Sequence, residues 1–303
     1  MLTNAVGAGP SSMFGQMSDT TVTLTGTGVP HAAPGRAGAG VLVRYKDIAL
    51  QFDAGRATVL RMIEAGVTPT TLTAQFVTHY HSDHVVDLPD VVLTRWIQEN
   101  LTKVGPLPII TPTGSALRFV ERMMDAFDDD IHVRQEHTGN VDMRLDIKPF
   151  DATFEPQEVW RSSGSEVVVE AVAVHHEPVM DAVAYRVTTP DGSVVISGDT
   201  RVCDEVFALA RTADVLVHEA CRTRALAKSA QGTPFEQIFD YHSDSVTLGE
   251  FAQRYDIKHL LLTHLIPSPT TDQQKQKFED DVRTGGYTGT VTVGDDLTTV
   301  TVG

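Results

Sequence analysis

Apolar positions along this chain recur at two periods, and the switches between them mark out its elements. Thr21 to Leu24 and Val41 to Phe52 have the residue types of strands, separated by the turn-rich stretch GTGVPHAAPGRAGAG. Arg56 to Ala65 places apolar residues at helical spacing and stops at Gly66, a C-terminal helix signal. The short β-rich run TAQFVT leads straight into HYHSDH, which an amphipathic stretch from Leu88 to Glu99 follows. A strand-to-helix loop therefore carries these histidines. LPIITP continues as a strand and Gly114 to Phe127 as a helix, and the acidic run Asp128 to Asp130 reads as a solvated helix end or turn. From Val133 to Val187 the pattern is mostly β, through MRLDIKPF, EVVVEAVAV and AVAYRV, with SVVIS after the PDG turn. The last third returns to alternation, with ADVLVHE and KHLLLTH as buried strands and Asp244 to Tyr255 and Asp272 to Val282 as helices.

This order predicts sheets covered by helices on their outer faces, with site loops at strand ends. One domain over 21–303 is expected behind a flexible, small-residue leader at 1–20. A hydrophobic content of 41% with 21% charged residues supplies a sizeable core and excludes a disordered chain. The formal net charge of −16, from 40 acidic and 24 basic residues, repels polyanions, so nucleic acid is a disfavoured partner and a small-molecule substrate is expected. Cys203 and Cys221 form neither a CxxC pair nor a disulfide framework. The first twenty residues lack a basic start followed by an apolar stretch, and no apolar run approaches the ~20 residues of a membrane helix, so a cytoplasmic protein without a membrane partner is expected.

The chemistry concentrates in HxHxDH. Four candidate ligands, His79, His81, Asp83 and His84, fall on one loop, and imidazole with carboxylate suits zinc. A lone histidine is usually an ordinary core or surface residue, but three with an aspartate in one loop reverse that expectation. A catalytic site needs further ligands from elsewhere. Asp199 in ISGDT emerges from a strand after a glycine that permits close backbone approach. His264 follows HLLLT and His176 follows EAVAVH, each projecting from a strand end, whereas His175 points the other way if its strand continues.

In that order GTGVP, LQFDAG, FVTHYHSDH, VHHEP, ISGDT, VHEA, YHSD and LLTHL resemble the metallo-β-lactamase fold superfamily, in the branch containing ribonuclease Z and bacterial arylsulfatase-like enzymes. The resemblance runs from about Thr21 to Val302. It implies an α/β fold, an αββα sandwich of two mixed sheets flanked by helices. Carried over by position, one ion would take His79, His81 and His176, the other Asp83, His84 and His264, and Asp199 would bridge. His242 in YHSD matches the branch's proton donor, and with Asp83 and Asp199 makes the catalytic set; its bland reading is a neighbour of a helix cap. Glu219 orients a histidine from outside the ligand set or has a purely structural partner, and Asp53 fixes the first histidine loop. His31, His132, His137, His218 and His259 are taken as ordinary.

The implied cofactor is two Zn2+, ahead of Mn2+ or Fe2+. Two such ions make a bridging hydroxide available at neutral pH. The expected reaction is hydrolysis of a small organic substrate, with a phosphodiester or aryl sulfate ester favoured, in a homodimer. One alternative is a tRNA 3′-processing endonuclease of the ribonuclease Z type. Against it, such enzymes typically carry a long insertion between the third-motif histidine and the bridging aspartate, and here 177–198 leaves 22 residues. A hydrolytic dehalogenase or lactonase on the same scaffold is the other alternative. A di-iron oxidoreductase would carry glutamate in place of His81. Leu101 to Trp160, with Phe154, shows the least family pattern and is expected to supply specificity.

Overall fold

The computed structural model describes residues 18–164 and 166–303, so most of the expected leader at 1–20 lies outside the described residues. Strands β1 (Thr20–Gly26), β2 (Gly40–Tyr45), β3 (Ile48–Phe52), β4 (Ala74–Phe76), β5 (Pro108–Pro112) and β6 (Asp146–Phe150) come first. They are followed by β7 (Gln157–Arg161), β8 (Val168–Ala173), β9 (Val183–Thr189), β10 (Gly192–Ile196), β11 (Val215–Cys221), β12 (His259–Ile266), β13 (Thr290–Val293) and β14 (Thr299–Thr301). Two seven-stranded sheets result, in the orders β14-β1-β2-β3-β4-β5-β6 and β13-β12-β11-β10-β9-β8-β7. Both are mixed: β14, β1, β2 and β3 pair antiparallel, as do β7, β8, β9 and β10, and the pairs from β3 to β6 and from β10 to β13 are parallel.

Residue parity explains the layering. Along β2, Val41, Val43 and Tyr45 enter the core between the sheets, while Leu42 faces the helices outside. Along β10, Val194 and Ile196 point inward and Val195 outward. Because both faces are covered, these strands read as continuous apolar runs rather than alternating ones. The outer layer of the first sheet is made by helices such as Thr58–Glu64 and Leu88–Ile97, that of the second by Asp204–Leu209, Ser245–Arg254 and Asp272–Thr284. The chain is therefore an αββα sandwich. In its centre Phe52 stacks on Phe76 with ring centroids 4.6 Å apart, and the Tyr185 hydroxyl donates across to the Val77 carbonyl at 2.7 Å.

Two expectations are corrected. Val41 to Phe52 is a hairpin rather than one strand, because Lys46 turns the chain with φ 53° between β2 and β3. Val133 is not β: Asp128–Thr138 is a helix whose first turn carries Asp128, Asp129 and Asp130, where the helix dipole favours negative charge. Gly139 then closes it in the left-handed region at φ 65°. Among the described residues no helix is long and apolar enough to cross a membrane.

Candidate metal centre

The histidine-rich loop leaves the end of β4 and turns into the short helix Ser82–Val85. Asp53, just after the neighbouring β3, holds it at both ends. One carboxylate oxygen accepts the Thr78 N–H at 2.7 Å, and the other accepts the Thr78 hydroxyl at 2.7 Å and pairs with His84 Nδ1 at 2.7 Å. That contact leaves His84 Nε2 to face the centre. Gly55 lies so close beneath the loop that a Cβ there would sit 2.1 Å from the Asp83 carbonyl oxygen. Asp53→Ala is expected to weaken metal affinity by roughly 10–100-fold, measured by competition with a chelator, and to lower activity only as far as metal is lost.

The remaining candidates arrive from the second sheet. His176 follows β8 with its side chain fully buried, its Nε2 3.2 Å from His81 Nδ1. His175 turns away, between Glu177 and Glu205 at 3.3 Å each. Asp199 follows β10 after Gly198, whose φ of 59° and contact with Thr78 a larger residue would disturb. His264 is placed by a bulge: Glu219 pairs with Thr263 and Ala220 with Leu265, so His264 is the extra residue, at φ 42°. A bulge re-aims a side chain that a regular ladder would send elsewhere.

The donor atoms of His79, His81, His176 and Asp199 lie within 4.8 Å of one another, and so do those of Asp83, His84 and His264. Asp199 Oδ2 joins the groups, 3.3 Å from His84 Nε2, 3.4 Å from His264 Nε2 and 3.8 Å from His79 Nε2. Three of these buried atoms, His79 Nε2, His84 Nε2 and Asp199 Oδ1, have no hydrogen-bond partner among the described residues. Buried polar atoms rarely go unpaired, and two imidazole nitrogens within 4 Å of one carboxylate fit a site for cations. Protonation agrees. Burial and the adjacent His84 ring keep His79 neutral, and burial with the facing His176 brings His81 down to about 4. Burial opposes ionisation of Asp199, but the His264 and His84 rings overcome it and hold the carboxylate well below its usual range.

His242 stands beside the cluster, its donor atom within 4.8 Å of those of Asp199 and His264. Its Nδ1 pairs with Glu219 Oε1 at 2.8 Å. Burial alone would discharge the ring, yet the Glu219 carboxylate outweighs it and the pKa rises to about 9. Glu219 also accepts the Thr200 N–H at 2.9 Å and the Ser243 N–H at 3.3 Å, so one carboxylate links the Asp199 loop to His242. Its two readings, orienting and structural, coincide.

A cavity of about 570 Å3 opens on Asp83, Asp199, His242 and His264. Its walls are Val29 to Ala33, residues between Leu226 and Tyr241, and Ile266 to Ser268. The expected specificity stretch, Leu101 to Trp160, is absent from this lining: it supplies β6 and β7, the edge strands of the two sheets. His31, taken as ordinary, and Phe235 stand in the wall with ring centroids 5.8 Å apart. The available signal was the apolar set Leu226, Phe235, Ile238 and Phe239 in an otherwise polar stretch between β11 and YHSD.

A family model described as "Anti-Pycsar protein Apyc1" matches residues 20–247. Ribonuclease Z of Mycobacterium bovis (strain BCG / Pasteur 1173P2) is 34% identical over 281 residues, covering 93% of this chain and 98% of the relative. Among solved structures, human tRNase Z, short form, superposes with a TM-score of 0.67 at 21% identity, covering 93% of this chain and 99% of its own. The metallo-beta-lactamase fold protein YhfI from Bacillus subtilis gives 0.65 at 20%, covering 93% and 98%. The expectation that nucleic acid is a disfavoured partner is overturned by these relatives. An alignment of 281 residues spanning 98% of the M. bovis protein leaves that relative no room for a long extra arm, so the short 177–198 segment does not set this chain apart. Net charge failed as a guide because it sums the whole surface, whereas a phosphate meets only the local field, which bound cations would dominate.

Proposed function

We propose, because the chain belongs to the ribonuclease Z branch of the metallo-β-lactamase fold superfamily and to the family described as anti-Pycsar protein Apyc1, that it hydrolyses a phosphodiester of RNA. It is a metal-dependent hydrolase. The observation that carries the finer reading is the pairing of two donor groups sharing Asp199 with a protonated histidine alongside.

His79, His81 and His176 would hold one ion and Asp83, His84 and His264 the other, with Asp199 reaching both. Zinc is the proposed ion, since all the donors are imidazole or carboxylate. When bound, the pair supplies positive charge that acidifies water and offsets the phosphate's anionic oxygens. Asp83 and Asp199 keep their negative charge in this buried setting, where it balances that of the cations. His242 gives its proton to the leaving ribose oxygen, and Glu219 holds the ring charged and oriented for that transfer.

The test is cleavage of a precursor tRNA with a 3′ trailer by the zinc-loaded protein, reading the ends produced. A 3′-hydroxyl on the tRNA body and a 5′-phosphate on the trailer are expected. An uncut precursor in a sample carrying two metals per chain would refute the RNA assignment. A second reading, a small phosphodiester substrate, is favoured by the cavity: its size suits a small molecule, and among the described residues no lysine or arginine lines it. Turnover of bis(p-nitrophenyl) phosphate with no cut in the precursor would select it.

A further inference from the structure

Two of the cavity's walls, Val29 to Ala33 and Ile266 to Ser268, lie in irregular chain just beyond β1 and at the end of β12. Backbone bonds hold their bases: Gly28 N–H donates to the Ala37 carbonyl at 2.8 Å, Arg222 N–H to the Ile266 carbonyl at 2.8 Å, and Leu265 N–H to the Thr27 carbonyl at 3.3 Å. What fixes them comes from the turn that joins β13 to β14.

Asp296, in that turn, has a side chain only 6% exposed. One of its oxygens accepts both the Thr27 N–H at 3.0 Å and the Thr27 hydroxyl at 2.8 Å. The other accepts the Ala37 N–H at 2.7 Å and Arg61 Nε at 3.0 Å. A single carboxylate thus grips both ends of the first wall's loop. Arg36, whose side chain is 5% exposed, spans to the second wall. Its Nε donates to the Pro269 carbonyl at 3.0 Å, one terminal nitrogen to the Thr27 hydroxyl oxygen at 2.6 Å, and the other to Asp295 at 2.9 Å. Buried charge-assisted bonds of this kind are strong, and losing one partner strands the others.

We propose that Asp296 and Arg36 are positioning residues that set the width of the substrate cavity, tying its two walls together through the C-terminal turn. The inference rests on the reading above, that this cavity takes the substrate. Neither residue touches the candidate metal ligands, so the effect falls on fit rather than on chemistry.

Asp296→Asn puts an amide N–H against the N–H of Thr27 or Ala37 and releases one end of the loop. The expected result is a KM about tenfold higher for thymidine 5′-(p-nitrophenyl) phosphate, the larger ester. For methyl p-nitrophenyl phosphate, which lacks the nucleoside, KM changes less than about twofold, with kcat and metal content held on both esters. Thr27→Val, which deletes only the hydroxyl shared by the two side chains, is the milder variant, with the same pattern at smaller size. Equal KM changes on the two esters, or a lowered melting temperature with unaltered KM, would overturn the proposal. Hydrogen exchange decides it without turnover. Asp296→Asn should speed exchange in both 28–36 and 265–270, and unchanged exchange in the second wall refutes the coupling. A wild-type protein that hydrolyses neither ester nor the precursor tRNA but shows this coupled exchange would refute the phosphodiesterase reading and leave the brace supported.

Discussion

Asp199→Ala is expected to abolish turnover, lowering kcat/KM by roughly 10^4-fold or more. The reason is positional. Its Oδ2 lies within 4.0 Å of nitrogens from both donor groups, His79 and His176 on one side and His84 and His264 on the other. Among the described residues no other carboxylate is shared in this way: Asp83 pairs with His84 and His264. Removing Asp199 takes away the charge that lets several imidazoles and two cations occupy one buried volume, so metal content should fall from about two per chain to one or fewer. Asp199→Asn keeps the shape and loses the charge, and should behave nearly as badly. Elemental analysis with steady-state kinetics checks both variants, and circular dichroism confirms that the sandwich persists. Wild-type turnover in either variant would sink the shared-ligand assignment.

The sequence carried more about the layering than about the walls of the site. Strands buried on both faces announce themselves as apolar runs, as ADVLVHE and KHLLLTH do, and their alternation with helical periodicity led to sheets covered by helices, while the αββα arrangement itself came from the family resemblance. The first loop was legible because its donors are local, four within HxHxDH. Asp199 and His176 were marked by sitting at strand ends. His264 was marked in the same way, but the bulge that turns it toward the others depends on the register between β11 and β12, which no local pattern encodes. The helix from Asp128 was hidden because its acidic first turn buries little: Ile131 is its one buried residue among those described. The cavity wall was missed for a related reason. Helix Thr223–Ala230 and the 3-10 turns at Pro234–Asp240 have no long periodicity, and apolar residues of theirs line the cavity rather than the core.

His242→Ala should separate proton delivery from metal binding. With both metals retained, kcat on precursor tRNA is expected to fall by about 10^2–10^4-fold, because the leaving group is a ribose alkoxide that needs a proton as the bond breaks. On bis(p-nitrophenyl) phosphate the loss should be far smaller, since p-nitrophenolate departs without one. Equal losses on the two substrates would mean that the histidine only shapes the site. Its partner supplies an independent check through pH. As the proposed proton donor His242 would act in its protonated form, and Glu219 raises the pKa at which that form is lost. Glu219→Gln removes the negative charge 2.8 Å from Nδ1, so the pKa drops and the alkaline limb of kcat on RNA moves to lower pH. The same variant should leave that limb in place for bis(p-nitrophenyl) phosphate, whose leaving group draws no proton from the ring. An alkaline limb that stays put on both substrates would show that the Glu219–His242 pair is scaffolding, and another group would have to protonate the departing oxygen.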